Sequence, residues 1–218
     1  MPFAVRHRHD PPSVREPLPG LVVRRETNAA VVAAVQGAPE AEVARRFAAG
    51  HRAYLAWWAG LPAAWGWVAT RTAEIGELGS AFEIPAGDRY LWNFVTLPAH
   101  RGKGIYPRLL DAIVQAEGRE AERFWIAYAP ENHASAAGIR KAGFTTVAEL
   151  SFDAAGRPAV RELAEGGDAV ARMLGLPLAE EALSPCWHCA RKATHPDAPC
   201  RGGECTCDYQ KLRSGRAA

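Results

Sequence analysis

Residues 89–110, RYLWNFVTLPAHRGKGIYPRLL, decide the fold of this 218-residue chain. Residues 90–97 are dense in aromatic and aliphatic side chains, which is typical of a strand buried on both faces. Pro98 ends that strand, and a basic loop with two glycines follows at residues 99–104. Apolar residues then recur at helical spacing, at Ile105, Leu109, Leu110, Ile113 and Val114. The stretch predicts a strand, a loop and a helix that ends near Gly118.

The loop and the start of this helix are predicted to bind an anion. The first N–H groups of a helix have no intrahelical partner and lie at the positive end of the helix dipole. Gly102 and Gly104 let the backbone approach a bulky phosphate, while Arg101 and Lys103 add positive charge. Pro107 has no N–H to lose in the first turn. A pyrophosphate or a similar dianion suits this site.

The spacing of the glycines excludes two common phosphate loops, G-x-x-x-x-G-K-[ST] and G-x-G-x-x-G. Residues 101–106 instead resemble the acyl-coenzyme A loop, R/Q-x-x-G-x-G/A, of the GCN5-related N-acetyltransferase (GNAT) family. The preceding residues 95–98, VTLP, and the two leucines that follow the loop fit that family's pattern as well. Tyr106 departs from it, because the family usually has Gly or Ala at this position.

A second stretch, residues 122–144 (ERFWIAYAPENHASAAGIRKAGF), strengthens the resemblance. Residues 124–128 have strand character, and a helix is predicted from the Pro-Glu-Asn that follows to about Ala142. The block resembles the family's N-x-x-(S/A)…K-x-G-F pattern at Asn132, Ser135, Lys141, Gly143 and Phe144. The two blocks have the family's order and separation, and the resemblance covers residues 21–163.

The resemblance implies an α/β fold of three layers (α+β), in which helices flank a central, twisted, mixed and mostly antiparallel sheet. Residues 20–178 are predicted to form this GNAT domain. Residues 1–19, rich in Pro, Arg and His, are expected to be a flexible arm or a strap over the domain, with a basic RNA-touching tail as the alternative. Residues 179–218 are predicted to be a small Cys-rich tail.

The other elements follow from local signals. Thr27 or Asn28 is predicted to cap the first helix, and Asp168 the last. Residues 70–87 are expected to be a polar connection. Strands are predicted at residues 21–24, 53–58, 63–69, 144–152 and 157–163, and further helices at 40–49 and 169–174. Strands 53–58 and 63–69 carry Tyr54, Trp57, Trp58, Trp65 and Trp67, which either fill the core or line an acceptor site.

All five cysteines lie in the tail, at Cys186, Cys189, Cys200, Cys205 and Cys207, with His188 and His195 between them. The C-x-x-C and C-x-C spacings suit thiolate ligands of one tetrahedral Zn²⁺, and we expect a zinc knuckle. Reduced thiols in a disordered tail, a redox role and an iron–sulfur cluster are the alternatives.

The resemblance also implies the roles of the site residues. The backbone amides of Arg101, Gly102, Lys103, Gly104, Ile105 and Tyr106 would bind the pyrophosphate of acetyl-coenzyme A. The backbone near Val95, Thr96 and Leu97 would pair with the pantetheine arm and contact the thioester oxygen. Asn132 would also contact the coenzyme arm.

The acid and the base are predicted from the residues around these blocks. Many family members place a Tyr seven residues after the Asn as the acid, but Ile139 stands there in this chain. Tyr128 or Ser135 is expected to replace it. Glu83, before the central strand, is the predicted base, with His133 as the second choice.

The implied function is transfer of an acetyl group from acetyl-coenzyme A to an amine by direct attack in a ternary complex. The acceptor is a small-molecule or protein amine. The alternative is a weakly catalytic acyl-coenzyme A sensor that uses the Cys-rich tail to bind metal or partners. Family members often pair through their late strands, so a homodimer is compatible with the resemblance.

The net charge of +2 argues against nucleic acid as a partner. No apolar run is long enough to span a membrane, and the first residues lack the pattern of a secretory signal. The expected location is the cytoplasm.

We predict that protein purified without added metal contains about one zinc per chain, measured by elemental analysis. A folded, soluble and metal-free protein would refute the knuckle.

Overall fold

The computed structural model describes residues 1–13, 16–76, 80–153 and 157–179. The strands in these residues are β1 (Pro2–His7), β2 (Leu21–Glu26), β3 (Arg52–Trp58), β4 (Leu61–Ala69), β5 (Thr72–Ile75), β6 (Ser80–Glu83), β7 (Asp88–Thr96), β8 (Arg123–Ala127), β9 (Thr145–Phe152) and β10 (Pro158–Glu162). The α-helices are α1 (Ala29–Gln36), α2 (Glu40–Ala48), α3 (Ile105–Glu117), α4 (His133–Lys141) and α5 (Asp168–Leu174). The five cysteines predicted to bind zinc lie outside the described residues.

Eight of the strands form one sheet in the order β10-β9-β1-β8-β7-β4-β3-β2. Strands β7 and β8 run parallel, and every other pairing given for this sheet is antiparallel. Strands β5 and β6 form a separate antiparallel hairpin. The prediction of a mixed, mostly antiparallel sheet is confirmed.

The sheet is covered on both faces, which confirms the three-layer prediction. On one face, apolar residues of α3 and α4 pack in a cluster with strand residues such as Leu91 and Phe124. On the other face, α1 and α2 cover one half of the sheet around Trp67, and α5 and the β5–β6 hairpin cover the other half around Tyr90. No helix of the described residues is long and apolar enough to cross a membrane.

Most predicted element ends agree with the structure. Helix α3 begins at Ile105 and has Gly118 as its C-cap, and the Asn28 side chain caps α1 by accepting from the amides of Ala30 and Val31. Two expectations are wrong. Helix α5 begins at Asp168 with Gly167 as its N-cap, and the connection at residues 70–87 contains the β5–β6 hairpin.

The N-terminal residues are not a free arm. Strand β1 lies inside the sheet, with Phe3 opposite Ala127 of β8 and Ala148 of β9. The expectation of a flexible arm over residues 1–19 is therefore wrong for residues 2–7. Composition averaged over the whole segment hid a short apolar run whose side chains are buried.

A buried arginine of β1 joins the two helices on one face of the sheet. Arg6 is 2% exposed, and its Nη1 donates to Asp111 Oδ1 of α3 at 2.7 Å and to the carbonyl oxygen of Ala142 at 2.7 Å. Buried charge is tolerated only where it is paired and hydrogen-bonded. Arg6 therefore fixes the distance between α3 and the end of α4.

The last turn of α3 is held by a second buried charge. Glu117 is 1% exposed and accepts hydrogen bonds from Arg52 Nη1 at 2.6 Å, Arg89 Nε at 3.0 Å and Tyr54 Oη at 2.7 Å. Burial, together with the hydrogen bond to Glu117, raises the pKa of Tyr54, so its hydroxyl stays protonated. These bonds tie α3 to β3 and β7 and thereby orient its N-terminus.

We predict that Phe3→Ala lowers the free energy of unfolding by about 3–5 kcal/mol, because a fully buried ring is lost from the core. His7→Ala, at the exposed end of the same strand, should change it by less than about 0.5 kcal/mol. Urea unfolding of both variants measures the difference. Equal stabilities would contradict the position of β1 in the sheet.

Candidate functional site

The site begins where β7 and β8 stop pairing. Their parallel register runs from Asp88 opposite Arg123 to Leu91 opposite Ile126, whereas the pairing of β7 with β4 continues to Thr96. The second half of β7 therefore has a neighbour on one side only among the described strands. A gap therefore lies between the ends of β7 and β8, and the chain leads from them into α3 and α4 on one face of the sheet.

A β-bulge in β7 shapes the edge of this gap. Asn93 and Phe94 together stand opposite Gly66 of β4, and Asn93 has a positive φ of 52°. A Cβ on Gly66 would lie 2.0 Å from a Phe94 ring carbon, so glycine is required for the ring to lie there. Bulges re-aim side chains and interrupt pairing, and they are enriched next to active sites.

The gap is a cleft of about 730 Å³, which we call the strand-end cleft. Its walls come from the end of β7, the loop before α3, the first turn of α3 and one side of α4. The residues that line it are Phe94, Val95, Thr96, His100, Arg101, Gly102, Gly104, Ile105, Tyr106, Pro107, Asn132, Ala134, Ser135, Ala137, Gly138 and Lys141. No Asp or Glu is among these lining residues.

The loop before α3 has the geometry of an anion site. Gly102 and Gly104 both adopt positive φ, 75° and 70°, a conformation that costs glycine little. Gly104 is the N-cap of α3 and, lacking a side chain, leaves the first amides uncapped; the first turn also holds no acidic residue. The uncapped amides of this helix therefore face the cleft with a positive partial charge.

Two arginines fix this loop in place. Arg101 Nε donates to the carbonyl oxygen of Thr96 at 3.1 Å, which joins the loop to the end of β7. Arg108 Nη1 donates to the carbonyl oxygen of Gly104 at 3.0 Å, and its Nη2 donates to that of Glu16 at 2.5 Å. The segment before β2 thus helps to hold the start of α3.

Tyr106 forms the floor of the cleft between α3 and α4. Its ring lies 5.6 Å from that of Phe94, and its hydroxyl lies 3.4 Å from Ser135 Oγ. A Cβ on Gly138 would come within 2.4 Å of the Tyr106 ring, so Gly138 makes room for it. Burial raises the pKa of Tyr106 to about 12, which keeps the hydroxyl protonated near neutral pH.

The cleft brings together most of the residues predicted to bind the coenzyme. Those that line it are Val95, Thr96, Arg101, Gly102, Gly104, Ile105, Tyr106 and Asn132. Leu97 and Lys103 are not among the lining residues. The amide of Leu97 donates to the carbonyl oxygen of Ala63 at 2.9 Å, and Lys103 Nζ lies 4.5 Å from the centre of the Trp58 ring.

Of the predicted acid and base residues, the cleft contains Ser135. Tyr128 is turned to β9, with its hydroxyl 3.1 Å from Thr146 Oγ1. Glu83 lines a different cleft with Asp88 and Arg123, at the first residues of β7 and β8. Because β7 is nine residues long, that cleft lies roughly 26 Å from the loop before α3. His133 is exposed at the first position of α4 and is not among the lining residues.

Sequence reasoning missed Phe94, Arg108 and Gly138 as parts of the site. An isolated glycine within a strand indicates a bulge or a close approach of another group, so Gly66 could have revealed the bulge. The contacts of Arg108 and Gly138 join residues distant in the chain, and no local signal marks them. The described residues contain no group of three or more His, Cys, Asp or Glu side chains that could hold a metal ion.

Comparison with known proteins identifies the family of this chain. A family model described as "Acetyltransferase (GNAT) family" matches residues 3–144, which is more than half of the chain. The chain belongs to the GNAT acetyltransferase family. The match begins inside β1, in agreement with the position of that strand in the sheet. No curated protein matches the chain.

Solved GNAT structures are similar to this chain at low identity. A GCN5-related N-acetyltransferase from Kribbella flavida is 19% identical, with a TM-score of 0.43, over 66% of this chain and 53% of that chain. The yncA protein of Salmonella typhimurium, solved with its cofactor acetyl-CoA, is 17% identical over 61% and 84%, with a TM-score of 0.42. The aminoglycoside 6'-N-acetyltransferase AAC(6')-Ih from Acinetobacter baumannii is 15% identical over 58% and 91%, with a TM-score of 0.43. This chain thus spans about half the length of the Kribbella flavida protein.

We predict that Gly104→Glu weakens the binding of acetyl-CoA at least about 100-fold, because it places a carboxylate where the phosphates would bind. An added Cβ at Gly104 would also meet Arg108 Nη1 at 2.7 Å. Gly37→Glu is the control for charge and backbone conformation. Gly37 is the C-cap of α1, has a φ of 65° and has no atom within 4 Å of an added Cβ. It therefore carries the same left-handed backbone conformation and the same charge away from the cleft. Micromolar affinity retained in Gly104→Glu would contradict the assignment of the anion site.

Proposed function

We propose that the protein is an N-acetyltransferase that moves the acetyl group of acetyl-CoA to an amine by direct attack in a ternary complex. One observation carries the proposal. The strand-end cleft of about 730 Å³ combines an uncapped helix N-terminus, a two-glycine loop and an open strand edge. The family supports acetyl transfer, and the cleft offers a place for the cosubstrate.

The anionic end of acetyl-CoA suits the start of α3. Its pyrophosphate would accept hydrogen bonds from the backbone amides between Gly102 and Tyr106, where the helix dipole favours negative charge. Glycine at positions 102 and 104 keeps Cβ atoms away from the phosphate oxygens. The side chains of Arg101 and His100 lie on the same wall.

The open edge of β7 suits the rest of the cosubstrate. Beyond Leu91 the strand is not paired with β8, so its free backbone groups would pair with an extended amide-bearing chain as an added strand does. A backbone N–H of this edge, near Val95, would stabilise the negative charge that develops on the thioester oxygen. Asn132 caps α4 through its Oδ1, which accepts from the amide of Ser135 at 2.9 Å, and its NH₂ group would contact the coenzyme.

The chemical step needs few groups. The neutral amine nitrogen forms a bond to the thioester carbon, the carbon–sulfur bond breaks, and one amine proton is finally taken up by the thiolate. Ser135 is the predicted acid candidate that lines the cleft, and we propose that it acts through water. The proton that the amine loses passes through that water to the thiolate, and the serine hydroxyl keeps its own proton. No carboxylate is among the described lining residues, so we propose that the amine loses its proton to water.

A second function is favoured by the same geometry. Tyr128, Glu83 and His133, three of the four residues predicted to carry the proton transfers, are not among the residues that line the cleft. This arrangement would suit a domain that binds acyl-CoA without efficient turnover and acts as a sensor. The two functions share the cosubstrate and differ in turnover.

Calorimetric titration with acetyl-CoA, followed by an amine panel, tests the proposal. The panel should contain small primary amines, an aminoglycoside and peptides with a free N-terminus or a lysine. Release of coenzyme A is read with a thiol reagent after the protein's own five cysteines have been blocked. We expect binding and amine-dependent thiol release, with Gly104→Glu inactive and Gly37→Glu active.

The outcomes separate the two functions. Binding without thiol release for any amine would favour the sensor. Absence of binding would contradict both functions, because the loop before α3 would then not be a coenzyme site.

A further inference from the structure

The floor of the strand-end cleft holds two hydroxyl groups from different helices. Tyr106 projects from the first turn of α3 and Ser135 from the first turn of α4, and their oxygens are 3.4 Å apart. Both residues line the cleft. The coenzyme loop pattern usually has Gly or Ala where this chain has Tyr106, so the phenol is a feature of this chain.

The Tyr106 ring is built into the cleft. It packs between Phe94, the second residue of the β-bulge, and Gly138, whose missing side chain leaves the space that the ring occupies. Any larger residue at position 138 would meet the ring at 2.4 Å. The ring is therefore held at one place on the floor, with its hydroxyl 3.4 Å from Ser135 Oγ.

Ser135 is constrained through its backbone. Its amide donates to Asn132 Oδ1 at 2.9 Å in the N-cap of α4, which fixes the backbone of this residue in the first turn. The hydroxyls of Tyr106 and Ser135 can each both donate and accept hydrogen bonds.

The hydrogen-bonding capacity of the pair matches a secondary amide. Two hydroxyls have two protons and four lone pairs, and one proton at most is used between them. One O–H thus remains to donate to a carbonyl oxygen, and lone pairs remain to accept from an N–H.

We propose that Tyr106 and Ser135 form a hydroxyl pair that recognises an amide group in the pantetheine arm of coenzyme A. The inference rests on the proposed function, because it concerns the same cosubstrate. It assigns to the first turn of α3 a second task beyond binding phosphate. Tyr106 is then a specificity-determining residue, because it favours ligands with a pantetheine arm over nucleotides without one.

The test compares two ligands and three variants by calorimetry. Coenzyme A carries the arm, whereas 3′-phosphoadenosine 5′-diphosphate keeps the nucleotide and the pyrophosphate but has no arm. Tyr106→Phe removes the hydroxyl and keeps the ring between Phe94 and Gly138, so the fold is preserved. Ser135→Ala removes the second hydroxyl and keeps the backbone amide that Asn132 caps. The third variant combines both.

We expect each single variant to bind coenzyme A about three- to tenfold more weakly and 3′-phosphoadenosine 5′-diphosphate with unchanged affinity. Because the hydroxyls act as a pair, the double variant should lose less than the product of the two single effects. If Tyr106→Phe binds coenzyme A as tightly as the original protein does, the inference is wrong, while the proposed function is unaffected. Equal losses for both ligands would also overturn the inference, because the hydroxyl would then support the loop. An original protein that binds neither ligand would overturn the proposed function and the inference with it.

Discussion

The site depends on the fact that β7 can pair with two neighbours over only half of its length. Up to Leu91 it lies between β4 and β8, and beyond the bulge at Asn93 and Phe94 it keeps only β4 among the described strands. A sheet that paired throughout would have no cleft here. The backbone groups freed by this separation are costly if buried and unpaired, so such an edge is stable when it meets water or a ligand. Gly66 makes the bulge possible, because the Phe94 ring occupies the space of its missing side chain.

The loop before α3 is locally unfavourable and is supported from elsewhere. It has two positive-φ glycines and a helix start with no side-chain cap, features that suit an anion and add little stability. Helix α3 is instead fixed at its other end, where Glu117 is bonded to Arg52, Arg89 and Tyr54. Arg6 links the middle of α3 to the end of α4. These buried charges hold α3 against β3, β7 and the end of α4, a geometric role that does not require them to add net stability.

The sequence predicted the parts of the fold that depend on neighbours in the chain. The succession of buried strand, glycine loop and amphipathic helix around Gly104 depends on residues that are close in sequence. The same holds for the Asn28 cap of α1. The position of β1 was not predicted, because six residues of mixed composition become a central strand only when β8 and β9 are on either side of them. Glu83 was misjudged for a related reason. It lies just before the first residue of β7, whereas the cleft is formed by the last residues of that strand.

By itself, the sequence determined the family, the order of the main elements and the loop that is predicted to hold the phosphates. These properties are set by residue types at short spacings, where backbone conformation and helix periodicity act directly. Tertiary structure alone decided which side chains share the cleft. It placed Tyr106 beside Ser135 and Gly138, turned Tyr128 to Thr146 and left Glu83 at the opposite end of β7. The reason is physical: those neighbours come from different helices and strands, and their distances are fixed by sheet order and by the buried charges that hold α3 and α4.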